Sequence, residues 1–394
     1  MVRRGLLAIC LVVFAAPLQA DFFHDYMIDP EDGQLDASRY LSEVPAGFLP
    51  VPMVITEPAV GYGFGMAGIF FHESEEQKKQ RVSGNSPAIL PNNISVLGLG
   101  TTENGSKALA AGHMGFWMDD RVRYRGFVLY PDLNLDFYSL GGFDLRKPVE
   151  LNLQGPLDIQ ELKFRLGDSR WMLGIRQSYR QVKLDLAKDI ALPNPALNNA
   201  VNTFLDNNIG ETVRTSGAGL LAEYDSRDNP LSPQSGLYYA ANYVWYGDSI
   251  GSDVNFGSYT LEGLNYWNVN QHVNIALRLQ YDGIDAGDAS RLPPYVLPYI
   301  DMRGIPAVRY QGKAVATAEV EATWKASLRW RFNAFGGGGR AAQSLNALSE
   351  AEVANSYGAG FRYLVARRYG MTMGLDVARG PEDTAWYIQA GSSW

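Results

Sequence analysis

The sequence is poor in cysteine, in charge and in long apolar runs, and each shortage excludes a class of protein. One cysteine among 394 residues rules out a disulfide scaffold. Charged residues make up 19% of the chain and the net charge is −8, so no strongly basic surface is available to bind nucleic acid. Beyond the N terminus, no stretch approaches the roughly 18 uncharged apolar residues that a membrane-spanning helix needs.

Residues that carry catalytic or metal chemistry are also scarce. The sequence has only four histidines: His24, His72, His113 and His272. They form neither a His-x-His nor an HExxH pattern, so we predict no metal and no cofactor. Ser106 and Lys107 lie near His113, but this spacing does not indicate a Ser–His–acid triad. We therefore predict that the protein is not an enzyme, and keep a barrel hydrolase or acyltransferase as an alternative.

The N terminus has the features of a secretory signal. Residues 1–4 carry two arginines, residues 5–16 are apolar, and Ala20 is a small residue at which cleavage is expected. Cys10 follows Ile9 instead of a small residue, so we expect no lipid anchor. The sequence therefore predicts a cleaved signal peptide at residues 1–20 and export from the cytoplasm.

The segment after the signal peptide is acidic. Residues 21–47 hold seven aspartates and glutamates against a single arginine, Arg39. We predict a solvated leader on the periplasmic side, with one short helix near residues 36–41. Only this leader separates the signal from the first strand, so no folded periplasmic domain is expected.

From residue 48 onward the chain alternates between apolar and polar residues with a period of two. Residues 272–281 and 314–324 both show this pattern, with Glu319 and Glu321 on the polar face of the second segment. A soluble β-sandwich also alternates, but persistence over the whole chain and aromatic clusters such as that at residues 238–246 favour a membrane barrel. We predict an all-β transmembrane antiparallel barrel at residues 48–394. It should have roughly 14–18 strands, because a spanning strand takes about 9–11 residues and a turn plus an average loop about as many again.

Several segments resemble one superfamily of outer-membrane assembly and translocation barrels, the bacterial surface antigen family, which includes BamA and TamA. They are Asp225–Pro230 with Gly236, Arg303-Gly304, Phe335–Arg340 and the ending Gly391–Trp394. The resemblance extends from about residue 48 to the end of the chain. It implies sixteen strands and a long loop, residues 283–312, that folds into the lumen with Arg303 and Gly304 at its tip.

The resemblance also implies a partner for the tip of this loop. Glu321 stands where the family has a strand glutamate, and a partly desolvated guanidinium needs a carboxylate, so we predict a bidentate Arg303–Glu321 pair. Where the family has a second carboxylate this chain has Gly337. Glu319 or Asp376 is expected to substitute for that acid.

The last strand has its own pattern. Trp386, Ile388 and Trp394 are spaced to share one face as a terminal-strand signal. We predict that this strand meets the glycine-rich segment at residues 60–68 at the seam between the first and last strands. Glycines there reduce side-chain interlocking and favour opening of the seam.

The function implied by the resemblance is that of an integral barrel in the outer membrane of a Gram-negative cell. Such a barrel aids the insertion or translocation of proteins, or of lipids. Its expected partners are outer-membrane lipid, client outer-membrane or secreted proteins, and the barrel assembly machinery for its own insertion; nucleic acid is not expected. A passive small-solute channel is the alternative.

Overall fold

The computed structural model describes residues 20–43, 48–72, 79, 92–140, 143–187, 209–230, 232–287 and 292–394. The predicted signal peptide up to residue 19 lies outside the described residues. None of the helices in the described part of the chain combines the length and the hydropathy needed to cross a membrane.

The described residues form one antiparallel sheet of seventeen strands, preceded by two short helices, α1 (Ala20–Met27) and α2 (Ser38–Glu43). The strands are β1 (Phe48–Ile55), β2 (Gly63–His72), β3 (Asn93–Thr102), β4 (Lys107–Trp117), β5 (Val122–Leu140), β6 (Phe143–Gln154), β7 (Leu157–Arg165), β8 (Trp171–Leu186), β9 (Thr212–Asp225), β10 (Gly236–Tyr246), β11 (Phe256–Asn268), β12 (Val273–Asp285), β13 (Ala314–Lys325), β14 (Trp330–Ala342), β15 (Ala354–Ala366), β16 (Met371–Arg379) and β17 (Thr384–Ala390). Three 3₁₀ turns are Asp248–Ile250, Pro294–Val296 and Arg367–Tyr369.

Two of these strands are halves of one. Along β5, Asp132 pairs with Gln154 of β6 and Leu129 pairs with Leu157 of β7, in the same register. The interruption is Gly155-Pro156, where Gly155 has a φ of +138° and lies against the carbonyl of Gln181, so that a side chain has no room. Counting β6 and β7 as one strand gives sixteen. The predicted fold class, an all-β barrel of sixteen strands, is thereby confirmed.

The period-two pattern places lipid-facing and lumen-facing side chains on opposite faces of the sheet. Leu97 and Leu99 of β3 project outward, whereas Ile94 of the same strand faces the lumen and is buried. The short connection between β13 and β14 marks one end of the barrel, the turn end; the long connection between β12 and β13 marks the other, the loop end. Outward-facing tryptophans ring the turn end: Trp117, Trp171, Trp267, Trp324 and Trp330.

The core of the lumen is the connection between β12 and β13. Its described part, residues 292–312, buries Ile300, Met302 and Ile305 against the lumen faces of β13 and β15. Further along, Val308 joins an apolar cluster on the inner faces of β5, β6 and β8. As the resemblance implied, the loop lies inside the barrel and packs on its inner wall.

The acidic leader, expected to be solvated, is instead docked on the turn end. Arg329, in the turn between β13 and β14, is buried and ion-paired with three leader carboxylates: Asp29 at 2.6 Å, Asp32 at 2.7 Å and Asp36 at 2.5 Å. A backbone hydrogen bond adds to them, because the Ala37 N–H donates to the carbonyl oxygen of Val365. A buried guanidinium needs counter-charges, and the leader supplies them.

The same contacts fix the ionisation of the docked carboxyls. The hydrogen bond from Arg329 is the main cause that lowers the pKa of Asp32 below its usual value. Burial raises the pKa of Asp36, but hydrogen bonds from Ser38 and Arg329 outweigh it, so the net shift is downward. Both groups therefore stabilise the docked leader as carboxylates.

We predict that Arg329→Gln releases the leader. The change leaves three carboxylates converging without a cation, and breaking a buried ion pair costs about 3–5 kcal/mol. Trypsin cleavage after Arg39, in the folded protein in detergent, should become much faster than in the unmutated chain.

Arg367→Gln is the matched control, since Arg367 also pairs with Asp29 and Glu31 but is partly exposed, so cleavage should change little. The pH dependence follows from the lowered pKa values of Asp32 and Asp36. Their stabilisation is present above the ordinary value of 3.8 and is lost as the pH falls through the lowered values, so hydrogen exchange in α2 should rise below about pH 4. Equal protection of the leader in both variants would contradict the clamp.

Candidate functional site at the tip of the lumen loop

Arg303, at the tip of the lumen loop, is buried among three carboxylates. Its guanidinium lies 2.5 Å from Glu319, 2.8 Å from Glu321 and 2.8 Å from Asp376. Glu319 and Glu321 alternate along β13 and so face the lumen together, whereas Asp376 comes from β16. The structure brings the predicted partner and both predicted substitutes to one guanidinium. The expected bidentate geometry is not found, because three acids share the group and Glu321 accepts from one nitrogen.

Two further groups complete the site. Sequence reasoning missed Arg362, and it named Phe335 only as the start of the Phe335–Arg340 segment. Arg362 of β15 forms two parallel hydrogen bonds to Asp376, at 2.6 and 2.8 Å, so this carboxylate joins two arginines. The ring of Phe335 lies under the guanidinium of Arg303, 3.4 Å from its carbon to the ring centre. The alternation of Phe361, Arg362 and Tyr363 carried the signal for a lumen-facing arginine.

Gly304 lets the loop tip approach the wall closely. It has a φ of +85°, and a side chain there would lie 3.0 Å from the backbone nitrogen of Gly380. Its N–H donates to the Tyr387 hydroxyl of β17 at 2.8 Å, and the Ser356 hydroxyl of β15 donates to the Arg303 carbonyl. The tip is thus tied to three strands near the C terminus.

The packing around Gly337 explains why the second carboxylate of the site comes from another strand. It pairs with Glu319 across β13 and β14, and a Cβ there would lie 2.8 Å from the Glu319 Cα and 2.9 Å from the Met302 methyl. No side chain fits between the strand and the loop. Asp376 supplies the carboxylate from β16 instead.

The C terminus differs from its sequence prediction. Trp386 and Ile388 occupy the outward positions of β17, but the strand ends at Ala390 and Gly391 turns the chain with a φ of +81°. Trp394 therefore enters the lumen, where its indole N–H donates to Glu319 at 2.6 Å. The expectation that Trp394 shares a face with the other two was wrong, because one left-handed residue ends the alternation.

Ser393 joins the same network from the C terminus. Its hydroxyl oxygen accepts from Arg303 at 3.0 Å and from Arg362 at 2.9 Å, and its hydroxyl donates to Glu321 at 3.3 Å. The last two residues are thus part of the site.

The seam between the terminal strands also differs from its prediction. Residues 48–55 form β1, which pairs in full with β2, and β2 lies between β1 and β3. The glycine-rich segment is therefore the second strand, and β1 is the edge. Among the described residues no ladder joins β1 to β17.

Side chains and the loop connect the two sides of this seam. Tyr62, after β1, stacks on Trp386 of β17 with ring centres 5.7 Å apart. The Ala307 N–H donates to Glu57, also after β1, at 3.1 Å. Because the neighbouring loop tip holds β15 to β17, the loop braces both sides of the seam.

The histidines do not form a hydrolase centre. His72 and His113 each lie 2.9 Å from the Ser95 hydroxyl, a residue that sequence reasoning did not single out. In the described ranges no carboxylate is bonded to either of these imidazoles, so a Ser–His–acid triad is not assembled there. No cluster of three or more metal-ligating side chains occurs in that part of the chain either.

The turn motif quoted from the sequence closes β9 to β10. Arg227 forms two hydrogen bonds to Asp225, at 3.0 and 2.9 Å, and Asp228 accepts from the backbone of Gln234. Gly236 has a φ of +107° and packs against the Ser226 carbonyl, so a side chain cannot replace its hydrogen. The motif is therefore explained by turn geometry.

Comparison with known families supports the fold and its superfamily. Residues 147–299, which span most of β6 to β12, match the Omp85 superfamily domain. Over this segment the chain is similar to the Omp85 superfamily. The matched segment ends before Arg303, so the roles of the loop-tip residues rest on their geometry in this chain. No curated protein matches the chain.

Solved structures share the fold of this chain. BamA from Haemophilus ducreyi, lacking POTRA domains 1–3, superposes with a TM-score of 0.57 and 11% identity, over 88% of this chain and 70% of that one. CdiB from Acinetobacter baumannii superposes with a TM-score of 0.53 and 13% identity, over 87% of this chain and 59% of that one. CdiB from Escherichia coli superposes with a TM-score of 0.53 and 11% identity, over 87% of this chain and 62% of that one. The chain therefore spans about three-fifths of the CdiB chains.

We predict that Arg303 and Glu321 act as a coupled pair. Arg303→Ala leaves buried carboxylates without their cation and should cost about 3–5 kcal/mol of unfolding free energy. Glu321→Gln should cost less, since Glu319 and Asp376 remain. In a double-mutant cycle by urea unfolding in detergent, the double variant should lose about 0.5–3 kcal/mol less than the sum of the single losses. Additive losses would show that the two side chains act separately.

We predict that restoring the family acid with Gly337→Asp weakens the site. The new side chain would meet the Glu319 backbone and Met302, so the loop must shift, and overpacking costs about 1–3 kcal/mol. Gly336→Ala is the matched control on the outward face, where a Cβ meets no atom closer than 3.6 Å. A Gly337→Asp variant that unfolds at higher urea than the unmutated protein would overturn this explanation.

Proposed function

We propose that this protein is an outer-membrane barrel that aids the insertion or translocation of proteins, acting through its seam. The observation that carries the proposal is the meeting of a lumen loop with both sides of a weakly joined seam. The Omp85-type fold supports the same class of function. Its partners would be outer-membrane lipid, client outer-membrane or secreted proteins, and the assembly machinery that inserts it.

The composition of β1 makes its outer edge a poor hydrogen-bonding partner. Pro50 and Pro52 have no N–H, and proline in a sheet is confined to edges where the missing donor faces away from the ladder. Pro50 and Pro52 are two residues apart in β1, so their nitrogens point toward the same edge of the strand. The strand pairs along its full length with β2. The edge of β1 that faces β17 therefore lacks two donors. A client strand can compete for such an edge with little loss of existing hydrogen bonds.

The loop inside the lumen argues against the passive channel. Arg303 and the apolar residues of the loop occupy the interior, and the Trp394 indole adds to them from the C terminus. A pore for small solutes needs an open aqueous path. The unmutated protein should conduct little in planar bilayers, and a steady, large, ion-selective conductance would support the channel instead.

We predict that joining the seam blocks the function. The mature chain is expected to hold no cysteine, so Tyr62→Cys with Trp386→Cys can be linked selectively by a short thiol cross-linker. In liposomes, the unlinked protein should accelerate folding of a small unfolded outer-membrane barrel, and linking should abolish most of that acceleration.

The matched control is Tyr243→Cys with Tyr259→Cys, which face each other across β10 and β11 away from the seam. Linking this pair should leave the acceleration unchanged. Acceleration that persists with a fully linked seam would refute the seam as the working element.

A further inference from the structure

The lipid-facing wall of β2 to β8 carries a line of polar side chains, which we name the polar stripe. Its members are His72, Ser95, His113, Tyr124, Gln160, Asp158, Gln177, Tyr179 and Gln181. Each has the strand parity of exposed apolar neighbours, such as Leu97 and Leu99 beside Ser95, or Leu173 and Ile175 beside Gln177. These side chains therefore face lipid, where polar groups are costly and are retained for function.

Strand pairing makes the stripe continuous. Ser95 pairs with His113, His113 with Gly126, Gly126 with Gln160, and Gln160 with Gln177. The first half is hydrogen-bonded, because His72 and His113 both lie 2.9 Å from the Ser95 hydroxyl. The five strands thus share one polar row.

Glycine makes room for the middle of the row. Tyr124 donates from its hydroxyl to Gln160 across the position where a side chain on Gly126 would lie, 2.5 Å from the Gln160 oxygen. Gln160 in turn donates to Asp158 at 2.5 Å. The amide and the carboxylate therefore continue the row along β7.

The stripe reaches both membrane interfaces. At the turn end His72 is the last residue of β2, and Trp117 of the tryptophan ring stacks on Tyr124 at 5.8 Å. At the other end Tyr179 pairs with Asp158 and donates to Gln181 at 2.9 Å. Gln181 lies ten residues along β8 from Trp171, about the length of a spanning strand.

The opposite wall has no such row. The corresponding outward positions of β12 and β13 are apolar: Ile275, Leu277, Leu279, Ala316, Ala318, Val320 and Ala322. A continuous polar row is thus absent from β12 and β13 and is not a general property of the barrel.

From this arrangement we propose that the polar stripe conducts phospholipid headgroups across the membrane along the outer wall, while the acyl chains stay in lipid. A zwitterionic headgroup needs donors for its phosphate and acceptors for its ammonium group. The stripe offers imidazole, hydroxyl and amide donors together with the carboxylate of Asp158. The buried amide oxygen of Gln177 has no partner among the described residues, which leaves an acceptor free in the row.

The width of the stripe favours a lipid over a protein partner. It is narrow and is bordered by bulky apolar side chains such as Leu99 and Ile175, which suit acyl chains. A docked protein segment would need a broader matching surface, and it would not require a polar row that runs from one membrane interface to the other. This activity goes beyond the proposed function, because it uses a wall remote from the seam.

The experiment measures lipid movement in liposomes that contain the full-length protein and a phospholipid with a fluorescent headgroup. A membrane-impermeant reductant quenches the outer leaflet at once and the inner leaflet only as headgroups cross. The unmutated protein should speed this second phase. His113→Leu with Gln160→Leu, which breaks the stripe at mid-membrane, should slow it by about tenfold or more.

The variants separate transport from folding. Leucine suits a lipid-facing position, so the double variant should keep its folded, heat-sensitive migration on gels; Ser95→Ala is a milder second variant. Asn265→Leu, an outward polar residue near the turn end of β11, is the matched control and should leave lipid movement unchanged. The cross-linked seam should also leave it unchanged, whereas the stripe variants should leave client folding intact.

Three results would overturn the proposal. They are lipid movement no faster than in protein-free liposomes, unchanged movement in the folded double variant, and loss of movement on linking the seam. Stripe variants that instead lose a cross-linked dimer, with lipid movement intact, would show that the stripe binds a second protein.

Discussion

The burial of the Arg303 guanidinium is the constraint on which the arrangement of the lumen depends. A charge removed from water must be surrounded by acceptors, and here the acceptors come from β13 and β16 and from Ser393 at the C terminus. The loop tip can therefore occupy one position, and the C terminus must leave the strand to complete it. Fold and site are linked through one side chain.

The same constraint accounts for the relocated acid. A loop that packs closely on β14 leaves no space at Gly337, so the carboxylate must come from a strand farther round the wall. Asp376 meets this need and holds Arg362 as well, which joins β15 to the network. A carboxylate at a different position thus serves the same electrostatic purpose, with the added effect of cross-bracing the strands nearest the seam.

Sequence reasoning recovered the features that depend on periodicity and on the family resemblance. Alternation predicted the barrel. The resemblance, together with the need of a buried arginine for acids, pointed to Glu321, with Glu319 or Asp376 as substitutes. It missed features decided by single residues or by distant partners. Gly391 reverses the face of Trp394, and the leader docks because Arg329, about 300 positions away, is buried; no local pattern reports either. Strand β1 was missed because prolines at positions 50 and 52 argue against a strand in a sequence pattern.

Buried arginines brace both ends of the last strands, and this has a mechanical consequence for the seam. Arg303 holds β13 and β16 from within the lumen, whereas Arg329 and the leader hold the turns that precede β14 and β16. The strands next to β17 are thus fixed by charge, while β1 presents prolines to the seam. The strands beside β17 are held by ion pairs, whereas the edge of β1 lacks hydrogen-bond donors. Any opening of the barrel is therefore confined to the line between β1 and β17. Opening along this line would break the hydrogen bond from the loop at Ala307 to Glu57, whereas the carboxylates around Arg303 and the opposite wall would stay in place.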